Sequence, residues 1–188
     1  MGKVIVIEFA TLDGVVEDPD GRGGTPGGGW AFRYGPEAVA GDKFNLGEVL
    51  DTGVMLLGRR TWELFATIWP GREDPFSRKM NAIQKLVVSR KPDQPEGWAN
   101  SALLPGDLVA GVRRLKSERD VVVTGSIGVV DELRADDLVD EYRLLVFPLV
   151  LGAGRRLFDQ PGRPADLDLL SAERLGPAVR LVYGRTPA

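Results

Sequence analysis

The stretch Val54–Trp62, Val-Met-Leu-Leu-Gly-Arg-Arg-Thr-Trp, constrains the fold of this chain more than any other. Four consecutive apolar residues suit a strand buried on both faces, as in a sheet covered by helices on each side. Gly58 ends the run, and Arg59-Arg60-Thr61 lead into Trp62–Trp69, where apolar residues are spaced as on a helix. A buried strand that delivers a glycine and two cations to a helix N-terminus makes an anion site. Free amides, the positive end of the helix dipole and the arginines all point one way. An ordinary strand–turn–helix with two solvated arginines remains open on this stretch alone.

The same grammar recurs along the chain. Lys3–Ala10 is an apolar, β-branched strand with Glu8 as its one interior charge, and Thr11-Leu12-Asp13-Gly14 turns it. Residues 18–29 are too rich in glycine and proline for regular structure, and Trp30-Ala31-Phe32 follow at once. That loop is either a lid over a ligand or a tolerated surface insertion. Pro36–Leu50 has an imperfect helical spacing. Asp74-Pro75 reads as a cap and first turn before a helix Phe76–Ile83 and a strand Lys85–Ser89. Asp93–Ala99 is a loop, Leu108–Lys116 a helix, and Asp120–Thr124 a third apolar run that enters a helix Val129–Arg134 through Gly125-Ser126-Ile127-Gly128. Beyond it lie three strands, Tyr142–Leu151, Leu167–Leu175 and Val179–Tyr183, with Gly176-Pro177 linking the last two as a hairpin. The expected architecture is α/β, a mostly parallel sheet with an antiparallel C-terminal edge, in one domain over 1–188. Tyr142–Leu151 is also a candidate dimer interface.

Composition removes whole classes of chemistry. The chain has no cysteine and no histidine. Disulfides, thiolate nucleophiles, zinc–cysteine sites, His-ligated metals and Ser-His-Asp catalysis are therefore excluded. Acid–base work falls to carboxylates, Lys, Tyr or water. Hydride transfer fits, because its cofactor carries the hard chemistry. A net charge of -3 argues against nucleic acid as partner, and no run is long enough for a membrane span. Without an export signal at the N-terminus, the expected location is the cytoplasm. The acid pairs Asp131-Glu132, Asp136-Asp137 and Asp140-Glu141 read as solvated surface rather than as a magnesium site, so no metal is expected.

The dibasic pairs are more informative. Arg59-Arg60 and Arg90-Lys91 fall just past the carboxyl ends of apolar strands, and Arg155-Arg156 follows a strand through Gly152-Ala153-Gly154. Cations gathered at one sheet edge of an acidic protein imply a ligand with more than one anionic group, and arginine suits phosphate. Ser89-Arg90 is placed to hold a ribose 2′-phosphate, and Gly125–Gly128 to let backbone approach a pyrophosphate. The glycine turn is not a G-x-G-x-x-G pattern, and no Walker A motif is present.

Taken together, Thr11-Leu12-Asp13-Gly14, Leu57-Gly58-Arg59-Arg60-Thr61-Trp62, Val88-Ser89-Arg90, Gly125-Ser126-Ile127-Gly128, Leu138-Val139-Asp140-Glu141 and Pro148–Gly154 with Leu157-Phe158 run in one order across nearly the whole chain. In that order they resemble the dihydrofolate reductase-like superfamily. They are most similar to the reductase (C-terminal) domain of the bifunctional riboflavin-biosynthesis deaminase-reductase and its stand-alone relatives. The resemblance implies a three-layer sandwich, NADPH as hydride donor, a homodimer, and an enzyme of the 5-amino-6-(5-phosphoribosylamino)uracil reductase type. It implies cofactor contacts from Gly58, Arg59, Arg60, Thr61, Ser89, Arg90, Gly125, Ser126, Ile127 and Gly128. The substrate would lie by Asp13, Gly14, Trp30 and Asp42, with Asp13 or a bound water as proton source. The sequence departs at Ser126, where the riboflavin reductases often carry glycine. It also departs around Asp42, which does not match the first-helix acid of dihydrofolate reductases. The alternative is a non-catalytic nucleotide-binding module on the same fold.

Overall fold

Alternate residues of the apolar runs part to opposite faces of one sheet, which fixes a helical layer on each side. In the computed structural model, which describes residues 1–186, the strands are β1 (Val4–Thr11), β2 (Val54–Gly58), β3 (Gln84–Val88), β4 (Ser101–Leu103), β5 (Val121–Val123), β6 (Glu141–Phe147), β7 (Leu167–Leu175) and β8 (Ala178–Arg185). They lie side by side in the order β4-β3-β2-β5-β1-β6-β8-β7. β4 through β6 in that row are parallel, while β8 runs antiparallel to both β6 and β7. The helices are α1 (Val49–Thr52), α2 (Arg59–Ala66), α3 (Pro75–Ala82), α4 (Leu108–Glu118) and α5 (Ile127–Ala135).

Val4, Val6, Val54, Leu56, Val121 and Val123 pack against Leu108, Val112 and Leu115 of α4 and Val129, Val130 and Leu133 of α5. Their neighbours Ile5, Ile7, Met55, Leu57 and Val122 pack the other way, onto Trp30, Leu50, Trp62, Met80 and Ile83. Strands buried on both faces read as continuous apolar runs for this reason. The mostly parallel sheet with an antiparallel C-terminal edge agrees with the sequence reading. So do the caps: Asp74 accepts from the Ser77 amide at 3.0 Å and Asp107 from the Ala110 amide at 3.0 Å. Among the described residues, no helix is long and apolar enough to cross a membrane.

Several expectations are corrected. Pro36–Leu50 is not a helix. It holds one short 3-10 turn, Pro36–Ala38, after another at Trp30–Tyr34, and reaches only the start of the single helical turn α1. Gly41, Asn45 and Gly47 all have positive φ, and the Asp42 carboxylate takes the Leu46 and Gly47 amides at 2.9 Å, closing a turn in the middle of the expected helix. The strand expected over Tyr142–Leu151 stops at Phe147, because Pro148 has no N–H for the ladder. β6 is paired with β1 on one side and β8 on the other, so both its backbone edges are occupied. The free antiparallel edge is β7, where Leu169 and Leu170 are exposed. β4, three residues long, falls in a stretch left unassigned by sequence and is too short to show alternation.

Residues 18–29 lack helix and strand, as expected, yet they are tied together. The Asp18 carboxylate accepts from the amides of Gly23 at 2.7 Å and Thr25 at 2.9 Å and from the Thr25 hydroxyl at 3.0 Å. Its carbonyl accepts from Gly21 and Gly29. Losing a charge-assisted set of this kind costs about 1–3 kcal/mol locally. Asp18→Ala is therefore expected to raise the rate of proteolytic nicking between residues 21 and 29 roughly 5- to 150-fold, while the main thermal transition barely moves. Equal nicking of variant and wild type would contradict this account of the loop.

Candidate functional site

Adjacent strands β2 and β5 each run straight into a helix, so α2 and α5 begin side by side at the carboxyl edge of the sheet. The Gly58 amide donates to the Gly125 carbonyl at 3.1 Å and joins the two turns. A Cβ on Gly58 would stand 2.3 Å from Ser126 Oγ, so only glycine allows the approach. Gly125 has φ +93°, and a Cβ there would lie 3.3 Å from Thr61 Oγ1. Neither Gly58 nor Ser126 caps its helix with a side-chain bond. Two sets of first-turn amides, with their positive dipole ends, thus open onto one edge. In front of α5 a Cβ at Gly128 would meet nothing within 4 Å.

β3 lies beside β2 with Val88 opposite Gly58, which brings Ser89 and Arg90 to the same edge. Arg59 Nε donates to Ser89 Oγ at 3.1 Å, its guanidinium reaches the Asp93 carbonyl, and it stacks over Trp62 at 5.7 Å. Arg59 therefore braces the two turns together. Arg60 and Arg90 are exposed, and Arg60 makes only a long 3.4 Å bond to the Gly23 carbonyl of the loop 18–29. The structure thus brings Gly58, Arg59, Arg60, Thr61, Ser89, Arg90, Gly125, Ser126, Ile127 and Gly128 to one edge.

The residues expected around the substrate divide differently. Asp13 lies in the turn just after β1, but its carboxylate accepts from Thr11 Oγ1 at 2.6 Å, the Gly152 amide at 2.9 Å and the Leu151 amide at 3.2 Å, with Arg156 Nη2 at 3.4 Å. The Thr11 hydroxyl first, and then the Gly152 amide, hold this carboxyl far below the usual carboxylate range. These contacts hold Asp13 as a carboxylate, which disfavours it as a proton source, and they anchor the turn after β1 to residues 151–156. Gly14 sits in the same turn, its carbonyl accepting from Leu157. Trp30 is 0% exposed, T-stacked on Phe147 at 5.7 Å, with its indole N–H on the Glu17 carbonyl at 2.9 Å. It belongs to the core and presents no face to a substrate. Asp42 uses both carboxylate oxygens on local amides.

One residue that the sequence marked without assigning it a role stands out here. Glu8 lies on β1 in line with this edge, and burial pushes its carboxyl up to about 8. Its Oε1 is enclosed and has no hydrogen-bond partner among the described residues, as is also true of Thr124 Oγ1 at the end of β5. The available signal was a lone acid inside an apolar strand.

The eight-stranded, mostly parallel sheet with its antiparallel edge has the dihydrofolate reductase-like architecture. Within that architecture, the chain belongs to the RibD C-terminal domain family, whose model matches residues 2–181. It is 28% identical over 189 residues to the uncharacterized protein YyaP of Bacillus subtilis, covering 95% of this chain and 93% of that protein. Among solved structures it is similar to a Shewanella sp. PV-4 protein named for riboflavin biosynthesis (TM-score 0.76, 21% identity, 100% of both chains). It is also similar to the Thermotoga maritima diaminohydroxyphosphoribosylaminopyrimidine deaminase/5-amino-6-(5-phosphoribosylamino)uracil reductase (TM-score 0.62, 16% identity), covering 98% of this chain and 57% of that one.

A carboxyl with a raised value keeps its proton in the folded state where the unfolded chain has lost it, so its contribution to stability falls as pH rises. For Glu8 that window runs from the ordinary value of 4.5 to about 8. In urea denaturation, the unfolding free energy of Glu8→Gln minus that of wild type is expected to grow by about 1.4 kcal/mol per pH unit inside the window. A difference independent of pH would show that Glu8 ionises normally.

Proposed function

We propose that the protein is an NADPH-dependent reductase that delivers hydride to a small heterocyclic or carbonyl/imine substrate, of the 5-amino-6-(5-phosphoribosylamino)uracil reductase type. The observation that carries this reading is the convergence of two uncapped helix N-termini with exposed Arg60 and Arg90 on one sheet edge. The donor set suits a dinucleotide. First-turn amides of α2 and α5 suit a diphosphate, and Ser89 with Arg90, one strand further along, suits a 2′-phosphate. Gly58 and Gly125, where a Cβ would collide with Ser126 or crowd Thr61, keep the backbone of both turns close enough to line it. NADPH bound there supplies the hydride, and the protein orients it and keeps the phosphates fixed. Membership of the RibD C-terminal domain family supports the same reading. A cytoplasmic location accords with this chemistry, and homodimerisation would fall to the exposed β7 edge.

A second reading, a nucleotide-binding module without turnover, has one observation in its favour. The two acids expected beside the substrate, Asp13 and Asp42, have their carboxylates taken up by local hydrogen bonds. NADPH binding without oxidation across a panel of carbonyl and imine heterocycles would select it.

Charge-assisted hydrogen bonds contribute about 1.5–3 kcal/mol. Arg60→Ala and Arg90→Ala are each expected to weaken NADPH binding by at least about tenfold in fluorescence titration. The Arg90 variant should lose most of any preference over NADH. Unchanged NADPH affinity in both variants would remove this edge as the cofactor site.

A further inference from the structure

Reduction of a C=O or C=N bond needs a proton as well as a hydride, and the residue expected to supply it, Asp13, is ionised and tied to two amides. Glu8 has the opposite character. β1 and β5 pair in register through Val6 and Val123, so two residues on, Glu8 comes level with Gly125. Its Oε1 lies 3.8 Å from the position a Gly125 Cβ would take, and Thr61 Oγ1 lies 3.3 Å from that same point. On its other side it faces Leu144 of β6. The carboxyl is therefore level with the turn that opens α5, one strand from the start of α2.

Glu8 Oε1 is enclosed and lacks a hydrogen-bond partner among the described residues. Buried polar atoms are almost always hydrogen-bonded, so this orphan oxygen, level with the turn that opens α5, marks where a polar group of a ligand belongs. Glu8 as a whole is partly exposed while its Oε1 is enclosed, so it stands between the core and the sheet edge.

Among the described residues, no cation pairs with Glu8. Arg59 of α2 is turned onto Ser89 and Asp93, and Arg60 reaches toward Gly23. Arg134 of α5 and Arg155 both pair with Asp131. On β6, Arg143 pairs with Glu141, which also takes Lys3. Arg156 is on Asp13. Desolvation is left as the cause of the raised Glu8 value, and the carboxyl carries its proton at neutral pH.

We infer that Glu8 is the general acid of the reduction, donating a hydrogen bond and then its proton to the oxygen or nitrogen of a neutral C=O or C=N bond in the substrate. This rests on the reductase reading. Carbon receives the hydride and its electron pair from the reduced nicotinamide, which becomes the oxidised cation. The π electrons of the C=X bond move to X, which takes the Glu8 proton. Glu8 leaves the step as a carboxylate and regains a proton from water.

The test uses the full chain, Glu8→Gln and Glu8→Asp, with NADPH, the phosphoribosylaminouracil and a simple cyclic imine as probes. Infrared difference spectra of the wild type should contain a protonated-carboxyl band at pH 7 that fades as pH rises through about 8. Glu8→Gln should lose that band, bind NADPH within about twofold of wild type, and turn over roughly 10²- to 10⁴-fold more slowly. Glu8→Asp should recover part of the rate with a shifted pH profile. Absence of the band, or full turnover by Glu8→Gln, overturns this inference and leaves the reductase reading standing. Failure of the wild type to bind NADPH, or to oxidise it with any probe, overturns both.

Discussion

The bond from the Gly58 amide to the Gly125 carbonyl, 3.1 Å long, holds together the part of the molecule that the rest serves. It joins the ends of two neighbouring parallel strands at the point where each becomes a helix. Neither glycine tolerates a side chain without displacing Ser126 or crowding Thr61. Because the turns touch, the N-termini of α2 and α5 share one edge, and their dipoles and free amides act on the same volume. The buried apolar runs of β2 and β5 fix where those turns lie, since a one-residue slip would reverse the faces of both strands.

The charges around this edge fall into distinct tasks. Arg59, Arg134, Arg143, Arg155 and Arg156 each have a carboxylate, hydroxyl or carbonyl partner within the protein. Asp13 and Asp42 are consumed in closing turns. Arg60 and Arg90 remain exposed, and Glu8 Oε1, level with Gly125, has no partner among the described residues. Under the proposed function, binding and proton supply are separated by burial: exposed cations at the rim, and a carboxyl whose Oε1 is enclosed.

Much of this was legible in the residues. Strand and helix alternation followed from runs such as Val54–Leu57 and Val121–Val123, whose burial on both faces leaves them continuously apolar. Asp74 and Asp107 announced helix starts because the capping bond is local. The grouping of Gly58–Thr61, Ser89–Arg90 and Gly125–Gly128 followed from their common place after strands. What stayed hidden depended on distant partners. Pro36–Leu50 carries helical spacing, but the Asp42 turn and three positive-φ residues override it. That Arg59 is bound and Arg90 free depends on Ser89 and Asp93, about thirty residues from Arg59 along the chain. Asp13 looked like a donor until Leu151, Gly152 and Arg156, far along the chain, met it.

The central claim is that the paired starts of α2 and α5 hold the phosphates of a dinucleotide. Amide NMR of the labelled protein titrated with NADPH tests it most directly. The account predicts saturable shifts at Arg60, Thr61, Ile127 and Gly128, with the β7–β8 ribbon unaffected. Shifts confined to any other part of the sheet, or none at all, would contradict it.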